Sequence, residues 1–330
     1  MHARKNLKLQ IPGTAREQRA NYKRTTFGIW ILRFGVLSFL LSACVASTRP
    51  TVKIGLVGPF EGRYREIGQE IIYAVRLAVR EANTAGGMGG YSIELMAFDD
   101  GGDPAQAEEQ AHKLATDPQV MGVIGNWLEP TTLAAAPALA ASEIPFLATA
   151  SSPELDSSAF RLWPTDSVFQ VTASNGIFCS EPCRSLESLD WLTVHCSPFT
   201  DHCYGPPLWG LTQFPRLAGS AAEGVYVVAP APFPADSADP TFADRYLAIS
   251  QGVQPRFLAV LAYDAARLLF AAIQQDIEAN GSPTRAGVAA ALAQVSFSGL
   301  SGQFSFDVER DWAEASGWLY QWQGGQLIRP

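Results

Sequence analysis

The chain has 330 residues, 47% of them hydrophobic, which is enough for two domains with ordinary cores. Its net charge of −8 hides an asymmetry: residues 1–43 hold 8 of the 24 Lys and Arg against 1 of the 32 Asp and Glu, so that segment carries +7 and the remainder −15. A body that acidic lacks the basic footprint that phosphates require, which excludes nucleic acid as a partner.

Behind Lys23 and Arg24 lies an apolar stretch, Phe27–Leu41, interrupted by Arg33. It falls short of the roughly 20 apolar residues of a membrane span. A basic region, an apolar region and a small-residue site in this order read as a secretory signal. The stretch ends in Leu41-Ser42-Ala43-Cys44, which resembles the lipobox of bacterial lipoproteins, where the cysteine is lipidated and begins the mature protein. The expectation is a lipoprotein-type signal peptide over 1–43, a lipid on Cys44 and a tether over 44–50. An uncleaved signal anchor is the alternative, and the 22 residues ahead of Lys23 leave the true start site open.

Val52, Ile54, Leu56 and Val57 form a short apolar run bounded by Gly58, Pro59 and Gly62, the pattern of a strand buried on both faces. Ile67, Ile71, Ala74, Val75, Ala78 and Ala82 then recur at helical spacing. Four glycines between Asn83 and Gly90 end that helix and turn the chain into a second strand, Tyr91–Phe98. Asp99, Asp100 and Asp103 follow. They do not have the twelve-residue spacing of a calcium loop, and Asp103-Pro104 with Gln106 reads as an N-cap and capping box opening helix Ala105–Ala115. Strand Val120–Ile124, helix Thr131–Ala141 and strand Ile144–Ala148 continue the alternation. Strand–helix repetition without hairpin signals predicts a doubly wound parallel sheet with ligands at the carboxyl ends of its strands. Three loops converge there: Gly58–Gly68, Gly125–Pro130 and Ala148–Glu154. The free N–H groups of the helices they open suit a carboxylate. Thr149, Ser151 and Ser152 add hydroxyls, although Ser and Thr are equally at home as turn and cap residues.

At this point a resemblance becomes specific. Ile54-Gly55-Leu56-Val57-Gly58-Pro59, Glu81-Ala82-Asn83 with Ala85-Gly86-Gly87, Asp99-Asp100 with Asp103-Pro104, Val123-Ile124-Gly125, Ser152-Pro153-Glu154-Leu155 and Phe160-Arg161 leading to Asp166 stand in the order seen in the type I periplasmic binding proteins. The chain resembles their leucine/isoleucine/valine-binding branch, the receptors of branched-chain amino acid ABC transporters. The resemblance implies an α/β fold of two doubly wound parallel-sheet lobes, with lobe 1 over 51–166. It also implies that Thr149 offers a backbone contact and Ser151 a hydroxyl to the ligand carboxylate, and that Asp166 meets the ligand ammonium. Tyr64, in the first loop, joins the candidate ligand-binding set. One departure stands out: Trp127-Leu128-Glu129-Pro130 replaces a serine run, with Glu129 at the serine position, where it would repel a carboxylate. Trp127 reads either as a stacking platform or as a core residue.

Beyond Asp166 the alternation breaks. Residues 167–252 are too short for a complete second lobe, and Asn175–Leu208 holds Cys179, Cys183, Cys196 and Cys203 with His195 and His202. In an exported protein four cysteines favour two disulfides, in any of three pairings. The Cys-x3-Cys-x12-Cys-x6-Cys spacing is not that of a zinc finger, and a frameshift or deletion is a further reading. Where the family would place an acidic ligand contact, near Tyr204–Leu208, the chain has Pro206-Pro207. Family-like sequence resumes at Leu217–Val228. Thr241–Ile249 and Phe257–Ile277 read as helices, the latter within a segment, 253–300, that returns to lobe 1; Thr284–Leu292 is a further helix. The segment 301–330 is expected to close the fold: Phe297–Phe306, which runs into it, and Trp318–Trp322 read as the closing strands.

No Gly-x-Ser-x-Gly, His-Glu-x-x-His, Walker A or dinucleotide fingerprint is found, so no enzyme, cofactor or metal is expected. The expected function is that of an exported, lipid-anchored solute receptor that binds an amino acid between its lobes and delivers it to an ABC permease. The alternative is a binding-impaired or sensory descendant with a damaged second lobe.

Overall fold

Thr51–Gly58 forms β1, and the reason is visible on both of its faces: Val52, Ile54 and Leu56 pack into one core cluster and Val57 into another, all at 1% exposure or less. Burying each such side chain is worth about 1.5–3 kcal/mol. The computed structural model describes residues 49–150, 152, 154–173, 177–179 and 203–330, of which Pro50–Pro330 belong to one compact unit. Helix α1 (Arg65–Thr84) lays Ile67, Ile71, Ala74, Val75 and Ala78 against this core. It ends where Asn83 turns its side chain back, donating to the Ile93 carbonyl and accepting from the Ile93 N–H, both at 2.8 Å. The clamp fixes the start of β2 (Ser92–Asp99).

Helix α2 (Pro104–Ala115) opens with Asp103 as N-cap, its Oδ1 accepting from Gln106 N at 2.9 Å. Only that half of the expected capping box forms, since the Asp103 N–H donates to the Asp100 carbonyl. β3 (Val120–Gly125), α3 (Glu129–Ala141), β4 (Phe146–Ala148) and β5 (Phe160–Arg161) complete the first sheet. Its order is β2-β1-β3-β4-β5, every pairing parallel. Helix α3 starts two residues before the expected Thr131, because Pro130 is tolerated in a first turn, where no N–H is needed.

Helix α4 (Asp166–Thr172) leads to a second sheet. β6 (Ile177–Phe178), β7 (Cys203–Gly205) and β8 (Tyr226–Ala229) pair in parallel. Between β7 and β8 lie a 3-10 turn, Pro207–Gly210, and the short helix α5 (Phe214–Ala218). Helices α6 (Phe242–Leu247), α7 (Phe257–Asn280) and α8 (Arg285–Leu292) follow. The expected strand Phe297–Phe306 is instead a small hairpin, β9 (Phe297–Ser298) and β10 (Gln303–Phe304). The run is broken because buried Asp264 takes the Leu300 and Ser301 N–H groups at 2.7 and 2.8 Å, and those groups cannot then serve a ladder. β11 (Trp318–Gln323) and β12 (Gln326–Ile328) add to β8 in antiparallel fashion, giving the order β12-β11-β8-β7-β6. The second lobe is therefore not the uniformly parallel sheet expected. It has five strands, two of them recruited from the C-terminal segment.

Helix α7 joins the two halves. At its start Phe257 lies against Gly210 of the second-sheet side, while Leu269 and Ile277 reach Gly122 and Gly89 on the first. It is long and apolar enough to cross a membrane, yet most of it is buried inside the fold, which is the condition of a core helix. Arg285, at the start of α8, donates to the Val120, Ser142, Ala115 and Asp117 carbonyls and so ties that helix under the first sheet.

Candidate ligand-binding site

The parallel order brings the carboxyl ends of β1, β3, β4 and β5 to one edge, and the chain reverses direction of growth between β1 and β3. Crevices at such switch points are where open α/β sheets bind ligands. The loop after β1 is held by Asp99, whose Oδ1 accepts from the N–H groups of Phe60, Glu61 and Gly101 at 2.7, 3.3 and 3.0 Å. Gly68 lets the first turn of α1 meet that loop: a Cβ there would stand 2.3 Å from the Pro59 carbonyl oxygen.

Beneath the edge lies a buried polar network. Asp100 accepts from Gly102 N at 2.9 Å and from Asn126 Nδ2 at 2.7 Å, and burial raises its carboxyl above the ordinary value. The Asn126 carbonyl in turn accepts from the Thr132 and Thr149 hydroxyls at 2.7 and 3.0 Å. The loops after β2, β3 and β4 are thus wired to one another from below. Among the described residues Asn126 Oδ1 and Trp127 Nε1 are buried without a hydrogen-bond partner.

The residues expected to bind ligand distribute around this frame. Thr149 is fully buried, with its hydroxyl on Asn126 and its N–H on the Gly125 carbonyl at 3.3 Å. Tyr64, half-buried, is the N-cap residue of α1, and its ring packs over Gly102 beside Leu128. Asp166, half-buried, is the first residue of α4, and Glu129 the first of α3, each placing a carboxylate at a positive helix end. Trp127 is 2% exposed and packs against Gly58 in the main core, which is the core placement and not an open stacking face. Ser151, Cys44, Cys183 and Cys196 lie outside the described residues. Cys179 and Cys203, on either side of the β6–β7 connection, are both disulfide-bonded, which removes them from a zinc site. Pro206 and Pro207 stand at the carboxyl end of β7, both buried.

Sequence reasoning missed the contacts between the two halves. Glu66 on α1 accepts from the Thr212 N–H at 2.7 Å and from the Thr212 hydroxyl at 2.9 Å, and pairs with Arg256 at 3.4 Å. One turn on, Glu70 is 3% exposed, and its Oε1 accepts from the Arg256 and Ala259 N–H groups at 2.9 and 2.8 Å, capping α7 from another helix. Burial pushes the Glu70 carboxyl up to about 7. The available signal was an acidic residue set within the apolar stripe of α1, between Ile67 and Ile71.

Two sheets bridged by a shared helix, with a loop-lined edge at the switch point, define a two-lobed α/β binding protein. Residues 51–179 and 203–326 match the periplasmic binding protein family, and the chain belongs to it. That is a family of extracytoplasmic solute-binding receptors and not an enzyme family. An amino acid binding protein of Pseudomonas aeruginosa is 30% identical over 108 residues, 32% of this chain and 29% of the relative. Leu/Ile/Val-binding protein homolog 2 of Brucella abortus is 36% identical over 93 residues, 28% of this chain and 25% of the relative. In these alignments the chain spans less than a third of the curated relatives' length. Among solved structures, the Streptococcus pneumoniae branched-chain amino acid transporter substrate binding protein LivJ, in complex with isoleucine, has a TM-score of 0.70 at 19% identity, covering 84% of this chain and 97% of that one. A Rhodopseudomonas palustris ABC transporter solute binding protein in complex with benzoate has a TM-score of 0.62 at 18% identity, covering 84% and 95%. These structural likenesses establish the fold.

Proposed function

We propose that the protein is the solute receptor of an ABC importer, tethered outside the cytoplasmic membrane by a lipid on Cys44, and that it binds an amino acid at the carboxyl edge of the first sheet. The observation that carries this reading is the prebuilt loop frame: Asp99, Asp100 and Asn126 hold three converging loops in place before any ligand arrives. Preorganisation of this kind lowers the cost of binding. In this reading Ser151 and Tyr64 serve the carboxylate side and Asp166 the ammonium, Glu129 tunes ligand preference, and Thr149 and Trp127, both buried, hold the loops from behind. Closure of the second lobe over the ligand would present the closed shape to the permease.

A second reading, a binding-impaired or sensory descendant, is favoured by Pro206-Pro207 at the carboxyl end of β7, where neither side chain offers a polar group. One experiment separates the two. A thermal melt of residues 45–330 with a panel of amino acids and with benzoate should show stabilisation of about 2.7 kcal/mol at 100 times the dissociation constant of a true ligand. Asp166→Ala should abolish the shift given by an amino acid with little loss of stability in the unliganded melt. An unaltered shift in that variant removes Asp166 from the site, and a panel that shifts nothing supports the descendant.

A further inference from the structure

Away from the three loops, a crevice of about 280 Å³ opens where α1, the Thr212–Arg216 segment and the Val253–Arg256 connection meet. Its charged lining consists of three guanidinium groups, Arg65, Arg216 and Arg256, and two carboxylates, Glu66 and Glu70. Both carboxylates are already engaged. Glu66 is held by Thr212 and Arg256, and Glu70 by two N–H groups of α7. Arg256 is engaged as well, pairing with Glu66 and lying 5.3 Å over the Phe233 ring. Arg65 and Arg216 are exposed, and their guanidinium groups make no hydrogen bond or ion pair among the described residues. Two forked donors therefore line one crevice from the two halves of the molecule, Arg65 from α1 and Arg216 from α5, and among the described residues neither guanidinium is paired with a carboxylate.

We infer that this crevice is an accessory binding site for a small oxyanion, held by Arg65 from the first-sheet side and Arg216 from the second. The planar fork of arginine matches the paired oxygens of a carboxylate, sulfate or phosphate. An occupant bridging the two arginines favours the arrangement in which Glu66 meets Thr212 over one in which the halves part. Protonation of Glu70, whose carboxyl burial raises to about 7, leaves Glu66 as the remaining negative charge against Arg65, Arg216 and Arg256, so anion binding strengthens as pH falls.

The test is calorimetric titration of the protein with sulfate and, separately, with succinate, against chloride at matched ionic strength. Saturable binding of either oxyanion is expected, and the two arms tell an inorganic ligand from a dicarboxylate. Arg65→Gln with Arg216→Gln should weaken it by about tenfold or more, the loss of at least one charge-assisted hydrogen bond. Sulfate should bind more tightly at about pH 6 than at about pH 8, and Glu70→Gln should flatten that difference. Binding that survives the double substitution, or a response no larger than that of chloride, overturns the inference. The double variant should keep any amino-acid response that depends on Asp166, and Asp166→Ala should keep sulfate binding, so failure here and failure of the receptor reading remain distinct.

Discussion

The two sheets are held together by different means. In the first, the carboxyl edge proposed to bind ligand is secured by carboxylates and hydroxyls: Asp99 gathers the β1 loop, and Asp100 and Asn126 link the loops after β2, β3 and β4. The second relies on aromatic packing. Trp209 stacks on Phe214 at 5.0 Å between centroids, Phe214 stacks on Trp322 at 6.2 Å, Tyr204 stacks on Tyr226 at 5.0 Å, and Phe233 meets Tyr320 at 4.3 Å. Hydrogen bonds are directional and set loop geometry, whereas stacked rings supply burial with looser angular demands. A lobe with short strands and few helices can be stabilised by rings, but a loop edge that must be ready for a ligand needs the directional kind.

That contrast can be broken first on the aromatic side. Trp209 is fully buried, so Trp209→Ala should cost about 3–5 kcal/mol, the usual toll of removing a large core aromatic. Denaturant unfolding followed by tryptophan fluorescence would measure it, and a loss below about 1 kcal/mol would show that the stack contributes little. Next comes the joint between the halves. Glu70 holds its proton in the folded state up to about 7, against an ordinary 4.5, so the folded protein binds more protons than the unfolded chain in that window. Stability should therefore fall as pH rises from about 4.5 to 7 and level off above, by on the order of 3 kcal/mol. Glu70→Gln keeps an acceptor for the two α7 N–H groups and should remove this contribution to the slope, as urea melts at about pH 5 and pH 8 would reveal.

On the first-sheet side, Gly68→Ala would force a Cβ to within 2.3 Å of the Pro59 oxygen and 2.5 Å of Phe60 Cα, both backbone atoms with little room to yield. The expected cost is about 1–3 kcal/mol, with a displaced Tyr64 loop and weakened ligand response in the same melt. The smallest effect belongs to the α2 cap: Asp103→Ala should lose about 1 kcal/mol and leave ligand affinity unchanged. A larger loss, or a change in affinity, would mean that the cap also holds the Asp99–Asp100 loop.

Much of the first sheet was legible in the sequence because its signals are local. The apolar run of β1, the stripe of α1 and the Asp103-Pro104 cap each report on a few neighbouring residues, and parallel strands separated by helices leave little freedom of order. The position of Thr149 at the carboxyl end of β4 followed from that alternation, whereas Asp166, singled out only by the resemblance, stands at the opening of a helix, α4, that the pattern did not announce. Tertiary structure decided the rest. Nothing local tells β11 to pair with β8, 89 residues away by the Trp318–Ala229 register, or tells Glu70 to cap a helix whose first N–H groups lie 186 and 189 positions distant. Trp127 was equally consistent with a ligand platform and a core residue until Gly58 and Ile71 closed around its loop. By itself the sequence determined the alternation of elements and the chemistry available at their ends. Which of those side chains face one another was settled only by long-range packing, where burial and shape complementarity act between segments that no short pattern connects.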